Sequence, residues 1–205
     1  MMNGLSNQNK NSRQEEFWTW FQEHEAKIWN IDKDQEKMLR MVSDAIHNVD
    51  PALAFEIGRV DEKGKRVFVI SANGISTNIP KVESLFLTAP EMTRWRVAKY
   101  RPRLSSLGQI SMFGKIIAAE DIRFQVFNDG DRIGILLMFD DYSEANRNQF
   151  TRIGFIFLDR TLGEYDVMTR VGFVDFAGKE SNFYPDATRL PELPKSFDAY
   201  FKPRL

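Results

Sequence analysis

Apolar residues recur at helical spacing through the first fifty positions of the chain. Ser12 and Glu15 fit the S-x-x-E capping box, in which a hydroxyl and a carboxylate satisfy backbone amides at a helix start. Pro51 disfavours helical geometry in the residue before it, so the pattern should end there. The spacing predicts a hairpin of two amphipathic helices over residues 14–50, with a break near Asn30. The apolar positions are Phe17, Trp20, Phe21, Ile28, Met38, Leu39, Val42, Ala45, Ile46 and Val49.

Strand patterns follow after residue 52. The stretches LAFEIGRV (53–60) and KRVFVISA (65–72) are typical of strands, and DEKG between them suits a hairpin loop. Pro80 favours the first turn of a helix that Pro90 ends. RWRVAKYRPR then alternates in the manner of a strand. Residues 53–103 are therefore predicted to run strand, strand, helix, strand, which is a ββαβ unit.

A second unit of the same order is predicted over residues 115–178. DIRFQVF and RIGILLMF flank Asn128–Asp131, which is a strong hairpin signal, and RVGFVDF closes the unit as a strand. The run at 149–162 fits a buried helix, although its GFIFL segment alone fits a buried strand as well. The sequence at 104–114 indicates an irregular connection, and residues 179–205 indicate an extended C-terminal segment with a short turn.

These patterns predict an α+β protein. The N-terminal helical hairpin is expected to pack on mainly antiparallel sheet, or sheets, built from the two ββαβ-like units. We expect a disordered tail at residues 1–13 and a single domain over residues 14–205. The pattern leaves open whether the two units share one sheet.

Composition narrows the class of protein only a little. The 205 residues carry a formal net charge of -1, which gives no overall field for nucleic acid or an anionic membrane. Cysteine is absent from the sequence, which excludes disulfides and thiol chemistry. The first residues lack the apolar core of a secretory signal, and the longest apolar runs fall far short of the ~20 residues of a membrane helix. We expect a soluble, cytoplasmic protein without a membrane partner.

The search for catalytic and metal motifs is negative. His24 and Glu25 begin the pattern H-E-x-x-H, but Ile28 replaces the second histidine, so we predict no metal and no cofactor. Two carboxylates are candidates for chemistry because of their positions: Glu56 lies within a strand and Glu164 follows a helix end. Each fits acid–base catalysis, and each also fits an ordinary solvated strand face or loop.

Aromatic and basic residues concentrate in two stretches. FWTWF (17–21) has four large rings within five residues, more than one helix face can bury, so one ring is free for a partner unless neighbouring elements cover both sides. Residues 94–103 hold five cations beside Trp95 and Tyr100, which favours phosphate or stacked bases, or else internal ion pairs. The candidate binding residues are Trp18, Trp20, Glu56, Trp95, Arg96, Tyr100, Arg101, Arg103 and Glu164.

Several short stretches, taken in order, resemble a group of uncharacterised bacterial proteins. These stretches are FWTWF at 17–21, FEIG at 55–58, RVFVISANGI at 66–75, Ala89-Pro90, Trp95, YRPR at 100–103 and LGEY at 162–165. The resemblance covers most of residues 15–176. It implies a bacterial cytosolic protein, and it assigns no catalytic residue because no role is established in that group.

The leading hypothesis is a non-enzymatic binding protein. Its groove would lie between the aromatic helix and the Arg/Trp/Tyr strand and would take a partner protein or a small anionic ligand. One alternative is an enzyme acting on a small anionic substrate, which needs four residues to meet in one pocket: Glu56, Arg96, Arg101 and Glu164. The other, less favoured alternative is single-stranded nucleic-acid binding through residues 94–103.

Overall fold

The computed structural model describes residues 12–202, which form two compact units, one ending at Lys99 and one beginning at Tyr100. Helices are combined with antiparallel and parallel strand pairs, so the predicted α+β class is confirmed. Within the described range, no helix is long and apolar enough to cross a membrane. The tail predicted at 1–13 lies mostly outside the described residues, and the single domain over 14–205 stays a prediction.

The first unit combines three helices with a three-stranded sheet. Its elements are α1 (Arg13–Trp29), α2 (Gln35–Val49), β1 (Ala54–Val60), β2 (Arg66–Ser71), α3 (Ile79–Leu87) and β3 (Trp95–Lys99). The strand order is β1-β2-β3, with β1 antiparallel and β3 parallel to β2. Because a parallel neighbour requires a crossover, α3 and its flanking loops carry the chain from β2 to β3.

The predicted helical hairpin is present, and its first cap has the predicted chemistry. The Ser12 hydroxyl accepts a hydrogen bond from the Glu15 amide, and the Glu15 carboxylate accepts one from the Ser12 amide at 2.8 Å. Helix α1 ends at Trp29, and a single 3-10 turn at Ile31–Lys33 leads to α2. The predicted break near Asn30 is therefore confirmed.

An aromatic core joins α1 to the sheet of the first unit. The fully buried ring of Phe68 on β2 lies 6.0 Å from the Phe17 ring and 5.0 Å from the Phe21 ring, centroid to centroid. The Phe68 ring also stacks on Phe55 of β1 at 5.8 Å. Each such ring removes roughly 150–250 Å² from water, so this cluster supplies much of the burial in the unit.

The second unit repeats the ββαβ order with additional elements. Its elements are β4 (Gln109–Met112), β5 (Lys115–Ala118), β6 (Arg123–Asp129), β7 (Arg132–Met138), α4 (Arg147–Leu162), α5 (Glu164–Arg170), β8 (Val171–Ala177), β9 (Thr188–Arg189) and α6 (Leu193–Tyr200). The main sheet has the order β8-β7-β6-β9, with β6 antiparallel and β8 parallel to β7. β4 and β5 form a separate two-stranded ribbon. The run at 149–162 is helical, and each unit has its own main sheet.

Three local predictions for the second unit are corrected. The segment 104–114, expected to be irregular, contributes β4 to a hairpin that turns at Phe113-Gly114, a turn without the usual Asn or Asp. Glu164 begins a second short helix instead of a loop, because Gly163 at φ +84° redirects the chain between α4 and α5. The C-terminal segment, expected to be extended, ends in helix α6.

Candidate functional site

The predicted aromatic residues of the first unit are mostly core residues. Trp18 is 2% exposed, and its indole N–H donates to the Leu85 carbonyl of α3 at 2.9 Å. Trp95 is also 2% exposed, and its indole N–H donates to Glu25 at 3.0 Å. Buried indoles of this kind generally find such a partner, which fixes them in place. Neither ring is therefore open to a partner over its face.

Trp20 is the ring of the FWTWF stretch that stays half-buried. Its indole stacks on His24 one turn later, with centroids 4.8 Å apart and planes 22° from parallel. It lines a cavity of about 390 Å³ between α1 and α2, with Met41 and Asp44 on the opposite helix. The surplus ring that the sequence predicts is thus Trp20, and neighbouring elements cover Phe17, Trp18 and Phe21.

The basic stretch at 94–103 makes ion pairs within each unit. All five cations lie within 4.0 Å of a carboxylate in their own unit: Arg94 with Glu25, Arg96 with Asp61, Lys99 with Glu83, Arg101 with Asp159 and Glu164, and Arg103 with Asp166 and Asp198. Cations held this way are already partly neutralised. This arrangement fits the internal ion pairs that the sequence left as an alternative to phosphate binding.

Trp29 is a residue whose role the sequence did not indicate. The guanidinium carbons of Arg94 and Arg66 lie 5.0 Å and 5.7 Å from its ring centroid, within the range of cation–π contacts. Arg66 is buried and donates to the Trp29 carbonyl at 2.8 Å and to Asp32 at 2.9 Å. The hydrogen bond to Glu25 raises the pKa of Arg94, so its charge is fixed at this position. This cluster joins the end of α1 to the start of β2 and β3.

In the second unit, the YRPR and LGEY stretches bind each other. The carboxylate of Glu164 is fully buried and accepts a hydrogen bond from the Arg101 amide at 3.0 Å, while the Glu164 amide donates to the Arg101 carbonyl at 2.9 Å. The Arg101 guanidinium reaches Asp159 at 3.1 Å and Glu164 at 3.7 Å. A Cβ at Gly163 would lie 3.5 Å from the Arg101 carbonyl, so the two segments approach closely.

Arg103 and Tyr100 extend the same contact. Arg103 donates to the Leu162 carbonyl at 2.6 Å and pairs with Asp166 and Asp198, each at 2.8 Å. Burial disfavours its charge, but the hydrogen bonds to Asp198 and Asp166 outweigh it and raise the pKa of Arg103. Tyr100 has a positive φ of 61°, and its ring lies 5.0 Å from the ring of Tyr165. This network, which we call the Arg–Glu clamp, holds residues 100–104 against the junction of α4 and α5.

The enzyme hypothesis needs residues that the structure divides between the two units. Glu56 and Arg96 belong to the first unit, on the sheet face opposite Phe68, because they pair with Val69 and Val67 of β2. Arg96 lies 3.9 Å from Asp61, whose pKa is lowered first by a hydrogen bond from the Lys65 amide. Arg101 and Glu164 belong to the second unit, where they form the clamp. Among residues 12–202, no group of three or more acidic or histidine residues could hold a metal ion.

A surface groove of about 750 Å³ lies at the C-terminal end of α3 in the first unit. We call it the α3–β3 groove; its walls are Lys65, Phe86, Leu87, Ala89, Pro90, Glu91, Met92, Thr93, Trp95 and Val97. Pro90 ends the helix as predicted, and the loop that follows curves back to β3. The Lys65 ammonium donates to the Met92 carbonyl at 3.4 Å, which ties that loop to the start of β2.

Leu87 is the exposed feature of this groove. It is 78% exposed, more than any other large apolar residue found exposed in the described part of the chain. It lies off the apolar stripe of α3, whose Val82 and Leu85 are buried. The sequence did not single out Leu87, because one more leucine next to a helical stripe is ordinary. A count of apolar residues beyond that stripe would have drawn attention to it.

No protein-family model, no curated protein and no solved structure matches this chain. The resemblance to a bacterial group stays a prediction. The class of site therefore rests on geometry alone, and the geometry is that of an open surface groove, with polar and apolar walls, beside an edge strand of a sheet.

Proposed function

We propose that the protein is a non-enzymatic binding protein that holds an apolar segment of a partner protein in the α3–β3 groove. The observation that carries this proposal is the exposure of Leu87 above a groove whose other walls include Phe86, Pro90 and Met92. Exposing a leucine side chain to water is unfavourable in free energy, and exposed apolar residues commonly mark interaction sites when other apolar atoms surround them. Following the resemblance, we place this activity in the bacterial cytoplasm.

The shape and polarity of the groove support a chain segment as its ligand. Its volume lies within the roughly 300–1,000 Å³ of ligand sites, but it is open to solvent and not an enclosed pocket. Charged walls are few, namely Lys65 and Glu91, and Lys65 is engaged with a backbone carbonyl. A small anionic ligand would find little to hold it there. A peptide with a large apolar side chain would find several contacts.

β3 adds a second argument for an extended segment. It is the last strand of the sheet β1-β2-β3, and its Trp95 and Val97 line the groove. Edge strands of sheets are common sites for β-strand addition, in which backbone hydrogen bonds give affinity and side-chain pockets give specificity. The bound segment would then place an apolar side chain against Leu87.

The proposal is tested with a display library of random peptides of about 12 residues, a length that spans a groove of this kind. Peptides enriched on the full-length protein are synthesised, and their dissociation constants are measured by fluorescence anisotropy. We expect Leu87→Asp to weaken binding by about tenfold or more, because it removes a central apolar contact.

Ile75→Asp is the matched control. Ile75 is 50% exposed, lies in the same unit and is not a wall of the groove, so its variant should bind as the wild type does. The proposal is wrong if no peptide is enriched, or if both variants bind the selected peptides equally well. A screen in which small anionic metabolites stabilise the wild type and Leu87→Asp to the same degree would favour the small-ligand alternative.

A further inference from the structure

The β4–β5 hairpin of the second unit places two large apolar residues in solvent. Ile116 is 69% exposed and Phe113 is 44% exposed. The opposite face of the ribbon packs on the main core of the unit through Ile110 and Ile117. The ribbon is therefore held by one face and presents apolar side chains beyond the other, an arrangement that its own folding does not require.

Phe113 occupies a backbone position that suits other residues better. It is the first residue of the two-residue turn Phe113-Gly114, and its φ is +55°. Asn, Asp or Gly are usual there, because a bulky side chain at positive φ is strained. The turn chemistry gives no reason for a phenylalanine. A contact between the Phe113 ring and a group outside the hairpin would explain a phenylalanine at this position.

A cavity of about 500 Å³ lies beside the ribbon. Its walls are Gly114, Lys115, Ile116, Ile117, Asp121, Phe139, Asp140, Asp141 and Phe150. The floor is apolar, since Phe139 and Phe150 are core residues. The three aspartates at its rim are exposed, and the single cation, Lys115, lies 3.7 Å from Asp141. The rim therefore has an excess of negative charge.

We propose that the ribbon and this cavity, which we call the hairpin pocket, form a second docking site. Its occupant is a segment of a partner protein that carries a lysine or arginine next to a large apolar residue. The apolar residue would contact Ile116 and the pocket floor, and the cation would lie at the aspartate rim. Charge complementarity selects this occupant: a second copy of the chain, docked in the two-fold arrangement that is commonest for dimers, would bring the same negative rim against itself.

The test uses full-length Leu87→Asp protein as bait, so that the α3–β3 groove is blocked and its failure is separate from failure of this site. The same peptide library is selected on that bait. We expect enriched peptides to combine a basic residue with a large apolar one. Ile116→Lys should weaken their binding by about tenfold or more, because it removes an anchor and adds a like charge.

Two further measurements separate this occupant from others. Asp141→Asn should weaken binding and reduce its dependence on salt between low and physiological ionic strength, because a rim charge is lost. Phe155→Lys is the matched control, since Phe155 is 42% exposed on α4 and is not a wall of the pocket. Circular dichroism checks that each variant is folded.

Three outcomes would overturn the proposal. The first is that no peptide is enriched on the Leu87→Asp bait. The second is that the enriched peptides lack basic residues or bind Ile116→Lys as they bind the control. The third is a concentration-dependent dimer, seen by analytical ultracentrifugation, that Ile116→Lys abolishes; in that case a second copy occupies the site.

Discussion

The two units share a strand order but are stabilised by different chemistry. In both, an antiparallel hairpin is followed by a helical crossover and a parallel third strand. The first unit is joined to its N-terminal helix by aromatic rings around Phe68, and its ion pairs lie at the margin of that core. The second unit encloses a fully buried carboxylate, Glu164, within the Arg–Glu clamp. The same topology is thus compatible with an apolar connection to α1 in the first unit and with an ionic connection to residues 100–104 in the second.

The distribution of aromatic residues allows each unit to be followed separately. All four tryptophans, at positions 18, 20, 29 and 95, precede Lys99, and all five tyrosines, at positions 100, 142, 165, 184 and 200, follow it. Tryptophan fluorescence therefore reports on the first unit, and tyrosine absorbance, taken from the second-derivative spectrum so that it is resolved from the overlapping tryptophan bands, reports on the second. The comparison between the units can be tested with these two signals in the same protein.

The largest expected effect is that of Phe68→Ala in the first unit. Phe68 is fully buried among four other rings, so its removal leaves a cavity lined by apolar atoms. We expect it to lower the free energy of unfolding by about 4 kcal/mol. Leu137→Ala, in the buried central strand of the second unit, should cost about 3 kcal/mol because less volume is lost.

Urea unfolding followed by tryptophan fluorescence and by tyrosine absorbance measures both changes. Phe68→Ala should lower the midpoint of the fluorescence transition, and Leu137→Ala that of the absorbance transition. A fluorescence midpoint that Phe68→Ala leaves at the wild-type value would show that the aromatic cluster does not stabilise the first unit.

The next largest effect is expected for Glu164→Ala in the second unit. This change leaves the Arg101 amide without its buried acceptor and removes one of the two carboxylates beside the Arg101 guanidinium, and breaking a buried pair from one side is costly. We expect a loss of about 3 kcal/mol in the free energy of unfolding. Glu144→Ala is the control in the same unit: Glu144 is 75% exposed, so its pairing with Arg147 should contribute less than about 1 kcal/mol.

The outcome decides whether the clamp is structural. If Glu164→Ala has the same urea midpoint as Glu144→Ala, the buried carboxylate is not a stabilising element. Glu164 would then return as a candidate for the acid–base role that the sequence also allowed.

Local signals in the sequence predicted the fold well where a residue pattern strongly favours a single local structure, such as a helix cap or a hairpin turn. Ser12 with Glu15 marked the start of α1, and Asn128–Asp131 marked the β6–β7 hairpin. The turn at Phe113-Gly114 was missed because its first residue is not one that favours such a turn. Helix α5 was missed because only the contact with residues 100–104 shows why the chain continues as a helix after Gly163.

The candidate site was harder to predict, because exposure depends on contacts far along the chain. The nine candidate residues are chemically the right types for binding, but the sequence does not indicate that Arg101 meets Glu164 or that Trp18 meets Leu85. Those pairs are 63 and 67 positions apart. Conversely, Leu87 and Ile116 are ordinary apolar residues in the sequence. They become candidates only because the folded structure leaves them exposed.

The smallest expected effect is a difference in how the two units respond to pH. In the first unit, hydrogen bonds from the Ala52 amide and then from Lys81 lower the pKa of Asp50 below its ordinary value of 3.8. In the second, a hydrogen bond to Asp140, followed by burial, raises the pKa of Tyr184 above 10.0. A carboxyl group whose pKa is lowered in the folded state stabilises the fold at pH values above its unfolded pKa. A tyrosine whose pKa is raised in the folded state stabilises the fold at pH values below its unfolded pKa.

We therefore expect opposite pH limits for two variants. The destabilisation caused by Asp50→Asn should be present at neutral pH and should vanish as the pH falls through the lowered pKa, below 3.8. The destabilisation caused by Tyr184→Phe should be present at neutral pH and should vanish as the pH rises through the raised pKa, above 10.0. Urea midpoints of each variant and of the wild type, read by fluorescence for Asp50 and by circular dichroism for Tyr184, measure both differences. A constant difference across either limit would mean that the hydrogen bond concerned does not favour one protonation state, and the contrast between the units would then be confined to their cores.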